Sequence, residues 1–394
     1  MNRAADDERA SLAAPGGADA APIPIMRPWL GPEESAALAE VVESGWVAQG
    51  PRTARFEQAL AERVGAVHGV AASSGTAALH LSMLVLGLGP GDDVVVPSLS
   101  YIATANAPRA VGARPVFADV DAATQNLTPA TIEAALTPAT RAVVLVHQAG
   151  VPADVGAVHA LCDPLGIAVV EDAACALGAS YRGRPIGADS DLVNFSFHPR
   201  KIITTGEGGM VMTGRDDWAE RLRRLRDHGA SISAWARHDS SLAIEEYLEW
   251  GSNFRMSDLL AAVGLVQLER LELIVERRRA LAAIYQEALA GCAGLRIATD
   301  PQWGLANFQS FWVVLPDDCS RGRDDLLVGL LARGILARRG IMAAHLEPAF
   351  AGFECPALPV TEQLTRRSLL LPLFHTMTES DQGRVIDALR AELG

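Results

Sequence analysis

The sequence predicts an α/β protein: a large domain with a mostly parallel mixed sheet between helices, plus a smaller C-terminal α+β domain. Three observations carry this. From about residue 66, short runs rich in Val, Ile and Ala alternate with helical patterns. Those runs are almost continuously apolar, which suits strands covered by helices on both faces. After about residue 256 the rhythm changes to one long helical stretch followed by sparser elements.

Each element follows from its local pattern. "HGVAAS" reads as a strand running into "SSGTAALHLSMLVLGLG", a turn and a helix with a Gly-rich stop. "DDVVVPS" is a second strand and "ARPVFADVD" a third, separated by a helical "YIATANAPRAVG". "TPATIEAAL" opens a helix with Thr128 as N-cap and Pro129 in the first turn. "RAVVLVH" and "IAVVEDAA" are strands flanking a helical "ADVGAVHALCDPLG", and "DLVNFSF" and "EGGMVMTG" are strands on either side of a loop. From Ser257, "SDLLAAVGLVQLERLELIVERRRALAAIYQEALA" reads as one long helix able to bridge two domains. "NFQSFWVVLP", "DDLLVGLLARGI" and "SDQGRVIDALRAEL" then form the smaller lobe. The expected division is a flexible tail over 1–24, a large domain over 25–256, and a bridging helix with a small domain over 257–394.

Composition narrows the function classes. Hydrophobic residues make up 49% and charged residues 21% of the 394 positions, as in ordinary globular proteins. A net charge of −13 without a basic patch argues against nucleic acid and anionic membranes as partners. The start mixes Arg3 and Arg9 with Asp6, Asp7 and Glu8 and has no apolar core, so no secretory signal is expected. Five scattered cysteines without a CxxC pair point to a reducing cytoplasm and no structural metal.

One residue stands out. The chain has 34 basic residues, and Lys201 is its only lysine. Arg serves wherever charge alone is needed. A lysine amine, unlike Arg, can lose its proton and attack a carbonyl. Its surroundings are chemically pointed. "SSGTAAL" puts Gly75 and Thr76 at a helix start after a strand, a place where free N–H groups hold an anion. "VVEDAACALG" ends a strand with Glu171 and Asp172, at the edge where α/β sheets gather ligands. A simple helix cap is the structural alternative for Asp172. "SFHPRK" supplies Ser196, His198 and Lys201, and "TTGEGGM" lets the backbone turn sharply beside the lysine. Pyridoxal phosphate (PLP) requires these parts: a helix start for the phosphate, a lysine for the aldehyde and an acid for the pyridine nitrogen.

"ASSGTAALHL", "VPSLSYIATANA", "HQAGVPADV", "VVEDAACALGASYRGRPIG", "SFHPRKIITTGEGGMVMT", "NFRMSDLLAAVGLVQLERL" and "LPLFHTMTESDQ" together resemble the DegT/DnrJ/EryC1/StrS aminotransferases. These are PLP-dependent sugar aminotransferases of fold type I. The resemblance spans roughly residues 25 to 394. It implies that Lys201 forms the internal aldimine and Asp172 pairs with the pyridine nitrogen. It further implies that Gly75, Thr76 and Ser196 hold the phosphate and that Tyr101 stacks on the ring. Asn253 would reach the cofactor phosphate of the neighbouring subunit, which implies a homodimer with active sites at the interface. Cys175 departs from the family pattern. Many members carry Gln or another polar residue there, near the phenolic oxygen, and a thiol is a weak donor.

The implied reaction takes an amino group, from L-glutamate in the simplest case, to a nucleotide-linked keto-sugar. A keto-cyclitol acceptor, a PLP- or PMP-dependent sugar dehydratase and a non-enzymatic PLP-binding regulator are the rival readings. Dehydratase relatives carry His where Lys201 stands, which favours transamination. His147 and Gln148 divide between pocket lining and structural hydrogen bonds. His345 divides between a substrate-covering loop and a surface loop. "ERRRALA" (276–282) reads as a solvated or salt-bridged helix face, and Trp46 as a packing residue.

Overall fold

A computed structural model describes residues 21–239 and 244–393. Helices α1 (Pro32–Ser44) and α2 (Pro51–Val64) come first. Each starts on a proline and stops at a left-handed glycine, Gly45 with φ 75° and Gly65 with φ 79°. Strands and helices then alternate: β1 (His68–Ala72), α3 (Gly75–Val85), β2 (Asp93–Pro97), α4 (Ala103–Ala110), β3 (Arg114–Ala118), α5 (Pro129–Glu133), β4 (Thr140–Val146), α6 (Val155–Cys162) and β5 (Ala168–Asp172). A hairpin of β6 (Ser180–Tyr181) and β7 (Arg184–Pro185) precedes β8 (Val193–Ser196), β9 (Gly209–Thr213) and α7 (Asp216–Leu225). The rest comprises α8 (Ala234–Asp239), α9 (Asp258–Glu269), α10 (Leu271–Leu289), β10 (Arg296–Ile297), β11 (Gly304–Leu305), β12 (Phe311–Val314), α11 (Arg323–Ala332), β13 (Arg338–Arg339), α12 (Pro359–Arg367), β14 (Ser368–Leu371) and α13 (Glu379–Leu393).

The large sheet has seven strands in the order β1-β9-β8-β5-β4-β2-β3. The run from β8 to β3 is parallel, and β9 lies antiparallel between β1 and β8. Val70, Val95, Val143, Val144 and Val170 are fully buried, because helices cover both faces. The second lobe is a four-stranded antiparallel sheet, β10-β12-β14-β13, and β11 pairs with β6 to tie the lobes together. One apolar core runs from Val143 and Leu145 of the large sheet to Phe311, Val313 and Leu369 of the small one. No helix among the described residues is long and apolar enough to cross a membrane.

Three expectations need correction. The long helix from Ser257 is two helices, broken at Arg270 (φ −93°, ψ −3°). There the Arg270 N–H takes a tight bond to the Gln267 carbonyl at 3.1 Å. The Arg270 guanidinium is drawn to Glu34 at 2.6 Å and Glu33 at 2.8 Å on α1. The basic run at 276–282 is not a solvated face. Arg278 is fully buried, its Nε donating to the Phe308 carbonyl at 3.0 Å, and burial pulls its guanidinium down to about 9. Arg277 and Arg279 likewise donate to the carbonyls of Met377 (2.8 Å) and Ala306 (2.9 Å), so the run fastens α10 to the second lobe. Of the expected tail, residues 1–20 lie outside the described residues. Ile23 is buried and bonds Gly334 at 2.8 Å, so the chain is already docked before residue 25.

Candidate active site

Strand register gathers the singled-out residues at one sheet edge. Ala72 at the end of β1 faces Gly209, and Gly209 faces Ser196 at the end of β8. Asp172, the last residue of β5, faces Asn194 on one side and Val146 on the other. This carboxyl-terminal edge is where open α/β sheets hold ligands.

Helix α3 starts against Ser196. Ser74 caps it, its Oγ accepting from Ala77 N at 3.1 Å. The first-turn N–H groups of Gly75 and Thr76 are left without intrahelical acceptors. A Cβ on Gly75 would come within 2.7 Å of the Ser196 Cβ and 3.1 Å of its Oγ, so only glycine lets the helix start approach this closely. A Cβ on Gly209 would fall on the Ser74 carbonyl, so glycine is needed there too. Thr76 is exposed on the same turn.

Asp172 is buried at 6% exposure and has no cationic partner among the described residues. Its Oδ2 accepts from Thr104 Oγ1 at 2.8 Å and its Oδ1 from Ala174 N at 3.2 Å. With its proton committed to Asp172, the Thr104 hydroxyl accepts from Ser100 Oγ at 2.8 Å. Tyr101 lies in the same turn, 71% exposed, its carbonyl taking the Thr104 N–H at 3.1 Å.

Lys201 sits in the loop between β8 and β9. Thr204 Oγ1 donates to the Phe197 carbonyl at 2.8 Å, and Gly206, with φ 89°, donates back to Thr204 Oγ1 at 2.9 Å. The Lys201 N–H bonds the His198 carbonyl at 2.8 Å. Its Nζ donates to Cys175 Sγ at 3.2 Å and has no carboxylate partner among the described residues. Cys175 is held in turn by Asn307, whose Nδ2 donates to the carbonyls of Cys175 and Leu177, both at 2.8 Å.

The other histidines have other duties. His147 is fully buried; its Nδ1 accepts from Ala153 N at 3.0 Å, which fixes Nε2 as the donor to Glu171 at 2.7 Å. Gln148 is also tied down, its side-chain amide donating to the Leu99 carbonyl and its backbone N–H donating to Asn126 Oδ1 at 2.9 Å. Both are structural. His198 Nδ1 accepts from Arg200 N at 3.2 Å and braces the turn before Lys201; burial lowers its pKa. His345 is not a free surface side chain. Its Nδ1 takes the Ser98 hydroxyl at 2.6 Å at the end of β2, and burial lowers its pKa. Trp46 packs edge-on against Trp235 at 4.9 Å.

Among the described residues, a buried carboxylate without a cation and an amine without an anion stand at one edge, beside a helix start with unpaired N–H groups. The cofactor expected from the sequence would satisfy all three, so the residues present fit it. A family model described as the DegT/DnrJ/EryC1/StrS aminotransferase family matches residues 28–390.

The chain belongs to this aminotransferase family.

Its fold agrees closely with several solved structures. The aminotransferase TlmJ from Streptoalloteichus hindustanus is 37% identical, with a TM-score of 0.87 over 94% of this chain and 98% of that one. DesV from S. venezuelae, solved with a ketimine intermediate, is 36% identical, with a TM-score of 0.87 over 95% of this chain and 99% of that one. The putative sugar aminotransferase Spr1654 from Streptococcus pneumoniae, in its PMP form, is 26% identical, with a TM-score of 0.89 over 94% and 99%.

Of the residues that the family resemblance singles out, the structure brings Lys201 to Cys175, three residues past Asp172, and brings Ser196 to the helix start at Gly75 and Thr76. Asn253 is exposed, and its neighbour Phe254 accepts the Ser73 N–H at 2.7 Å, which sets the segment beside the α3 turn of its own chain. Sequence reasoning missed Thr104 and Asn307. The spacing of Ser100 and Thr104, one helical turn apart after a strand, is the available signal for the former. Nothing near Asn307 in sequence points to Cys175.

Proposed function

We propose that this enzyme is a PLP-dependent aminotransferase that moves an amino group from an amino acid, L-glutamate in the simplest case, to a nucleotide-linked keto-sugar. The observation that carries this reading is the buried Asp172 carboxylate, without a cationic partner among the described residues, together with the chain's only lysine, which reaches Cys175 three residues past Asp172. The pneumococcal relative, described as a putative sugar aminotransferase and solved in PMP and PLP forms, supports both the cofactor and the acceptor class.

PLP, when bound, supplies an electron sink for the carbon that loses or gains nitrogen. Lys201 would hold the cofactor covalently through Nζ and, once displaced by the amino donor, carry a proton on the same atom. That role requires an amine that passes through its neutral form. Asp172 would keep the ring nitrogen protonated, with Thr104 and Ala174 fixing the carboxylate. Ser196 Oγ, Thr76 and the first-turn N–H groups at Gly75 would bind the phosphate. Tyr101 would cover the ring face, and Cys175 would steady Nζ.

A homodimer belongs to the same reading. Ile244 (85% exposed) and Trp250 (98% exposed) stand with Tyr247 and Leu248 on the segment leading to Asn253. Such a concentration of large apolar side chains suits a subunit interface. Asn253 would then reach the partner's cofactor phosphate. The free cysteines among the described residues suit a cytoplasmic enzyme.

Incubation of the PLP-loaded enzyme with L-glutamate and a panel of keto-sugar nucleotides and keto-cyclitols tests the proposal. Nitrogen gained by a sugar nucleotide supports it. Nitrogen gained only by a cyclitol moves the acceptor class, and loss of water without nitrogen gain refutes transamination.

A further inference from the structure

Two arginines, one of them beside Lys201 in the chain, face a common groove. Arg200 immediately precedes Lys201, and Arg338 lies on β13, the edge strand of the small-lobe sheet. Neither guanidinium makes an ion pair or hydrogen bond among the described residues, whereas Arg270, Arg278 and Arg321 are each paired with a carboxylate or carbonyl. Both line the same two cavities: a groove of about 600 Å³ and a smaller pocket of about 60 Å³. The groove is otherwise walled by apolar side chains such as Ile25, Met26 and Leu336. Burial and the charge of Arg200 together pull the Arg338 guanidinium below its usual range.

The loop holding Arg200 is fixed. Its carbonyl accepts from Gln309 Nε2 at 2.8 Å and its N–H donates to His198 Nδ1 at 3.2 Å. Arg338 is set by the pairing of β13 with Leu370 on β14. Arg339, the next residue along the strand, projects from the opposite face and lines neither cavity. Like charges facing one cavity repel, and an oxyanion between them relieves this. Guanidinium groups bind carboxylate and phosphate through paired N–H donors, more strongly where apolar walls exclude water.

We propose that Arg200 and Arg338 form a substrate oxyanion subsite spanning the Lys201 loop and the second lobe. This rests on the aminotransferase reading above, and its ligand is a carboxylate of the amino donor or a phosphate of the acceptor. Closing one arginine from each lobe on a single anion would couple substrate binding to the approach of the lobes.

The test uses the PLP-loaded enzyme and its Arg200→Gln, Arg338→Gln and Arg339→Gln variants, with calorimetric titration of succinate and of inorganic pyrophosphate. The wild type should bind one probe, and Arg200→Gln and Arg338→Gln should each weaken that binding about tenfold or more. Arg339→Gln should bind like the wild type, and all variants should keep the visible absorbance of the lysine-bound cofactor. Loss of succinate binding assigns the subsite to the amino donor; loss of pyrophosphate binding assigns it to the acceptor. Undiminished binding in both Arg200→Gln and Arg338→Gln overturns the proposal, as does an equal loss in Arg339→Gln or a wild type that binds neither probe. A wild type that binds an anion through these arginines but shows no cofactor absorbance overturns the aminotransferase reading and leaves the subsite standing.

Discussion

Cys175 Sγ lies 3.2 Å from Lys201 Nζ, and it is the only side-chain partner of that amine among the described residues. A thiol is a weak hydrogen-bonding group, so it steadies the amine without neutralising it. Cys175→Ala should therefore cost less than about tenfold in kcat, because a neutral contact of this kind is worth about 1 kcal/mol. Cys175→Asp should do more harm, since a carboxylate would favour the charged amine. Steady-state rates of the two variants, compared across pH, check this ordering.

Thr104 is the side chain that orients Asp172. Thr104→Val keeps the shape but removes the donor at 2.8 Å from a buried carboxylate. A lost hydrogen bond to a charged group costs about 1.5–3 kcal/mol, or roughly tenfold to 150-fold in cofactor affinity. Fluorescence titration of the cofactor-free protein with PLP measures it. Thr104→Ser should restore most of the affinity.

The sheet was legible in the sequence because its strands carry short apolar runs rich in Val, as in "VVV" at 94–96 and "AVVLV" at 142–146. The short strands β6, β7 and β11 left no pattern, since two residues carry no periodicity and their pairing is tertiary. The break at Arg270 was invisible for a similar reason. No Gly or Pro marks it, and its cause is a pair of glutamates more than two hundred residues upstream. Arg278 was misread because an arginine on a helix usually faces water; here carbonyl groups released by the loop at 306–309 receive α10. Within the site, Lys201, Asp172, Gly75 and Ser196 were legible from residue type and chain order. Asn307 was not, because it reaches Cys175 only through the fold.

The stack of His375 on Trp29, at 4.7 Å and 10° between planes, gives a pH prediction. Burial, helped by Arg278, Arg270 and Arg27, holds His375 down at about 4, against an ordinary value of 6.5. The unfolded chain therefore binds a proton that the folded one refuses between these values. Stability should be unaffected by this group above pH 6.5 and should fall as pH drops toward 4. His375→Phe keeps the stack and removes the titration. Its thermal midpoint should decline less than that of the wild type between pH 6.5 and pH 4, and an identical decline would rule out His375 as a source of acid lability.

The most direct test of the central claim is the visible absorption spectrum of Lys201→Arg after incubation with PLP and gel filtration. Arg keeps the charge but cannot join the cofactor aldehyde. The account predicts that the wild type retains a visible band and the variant elutes with none, with amino transfer lost by at least about a thousandfold. A variant that keeps both the band and the activity would contradict it.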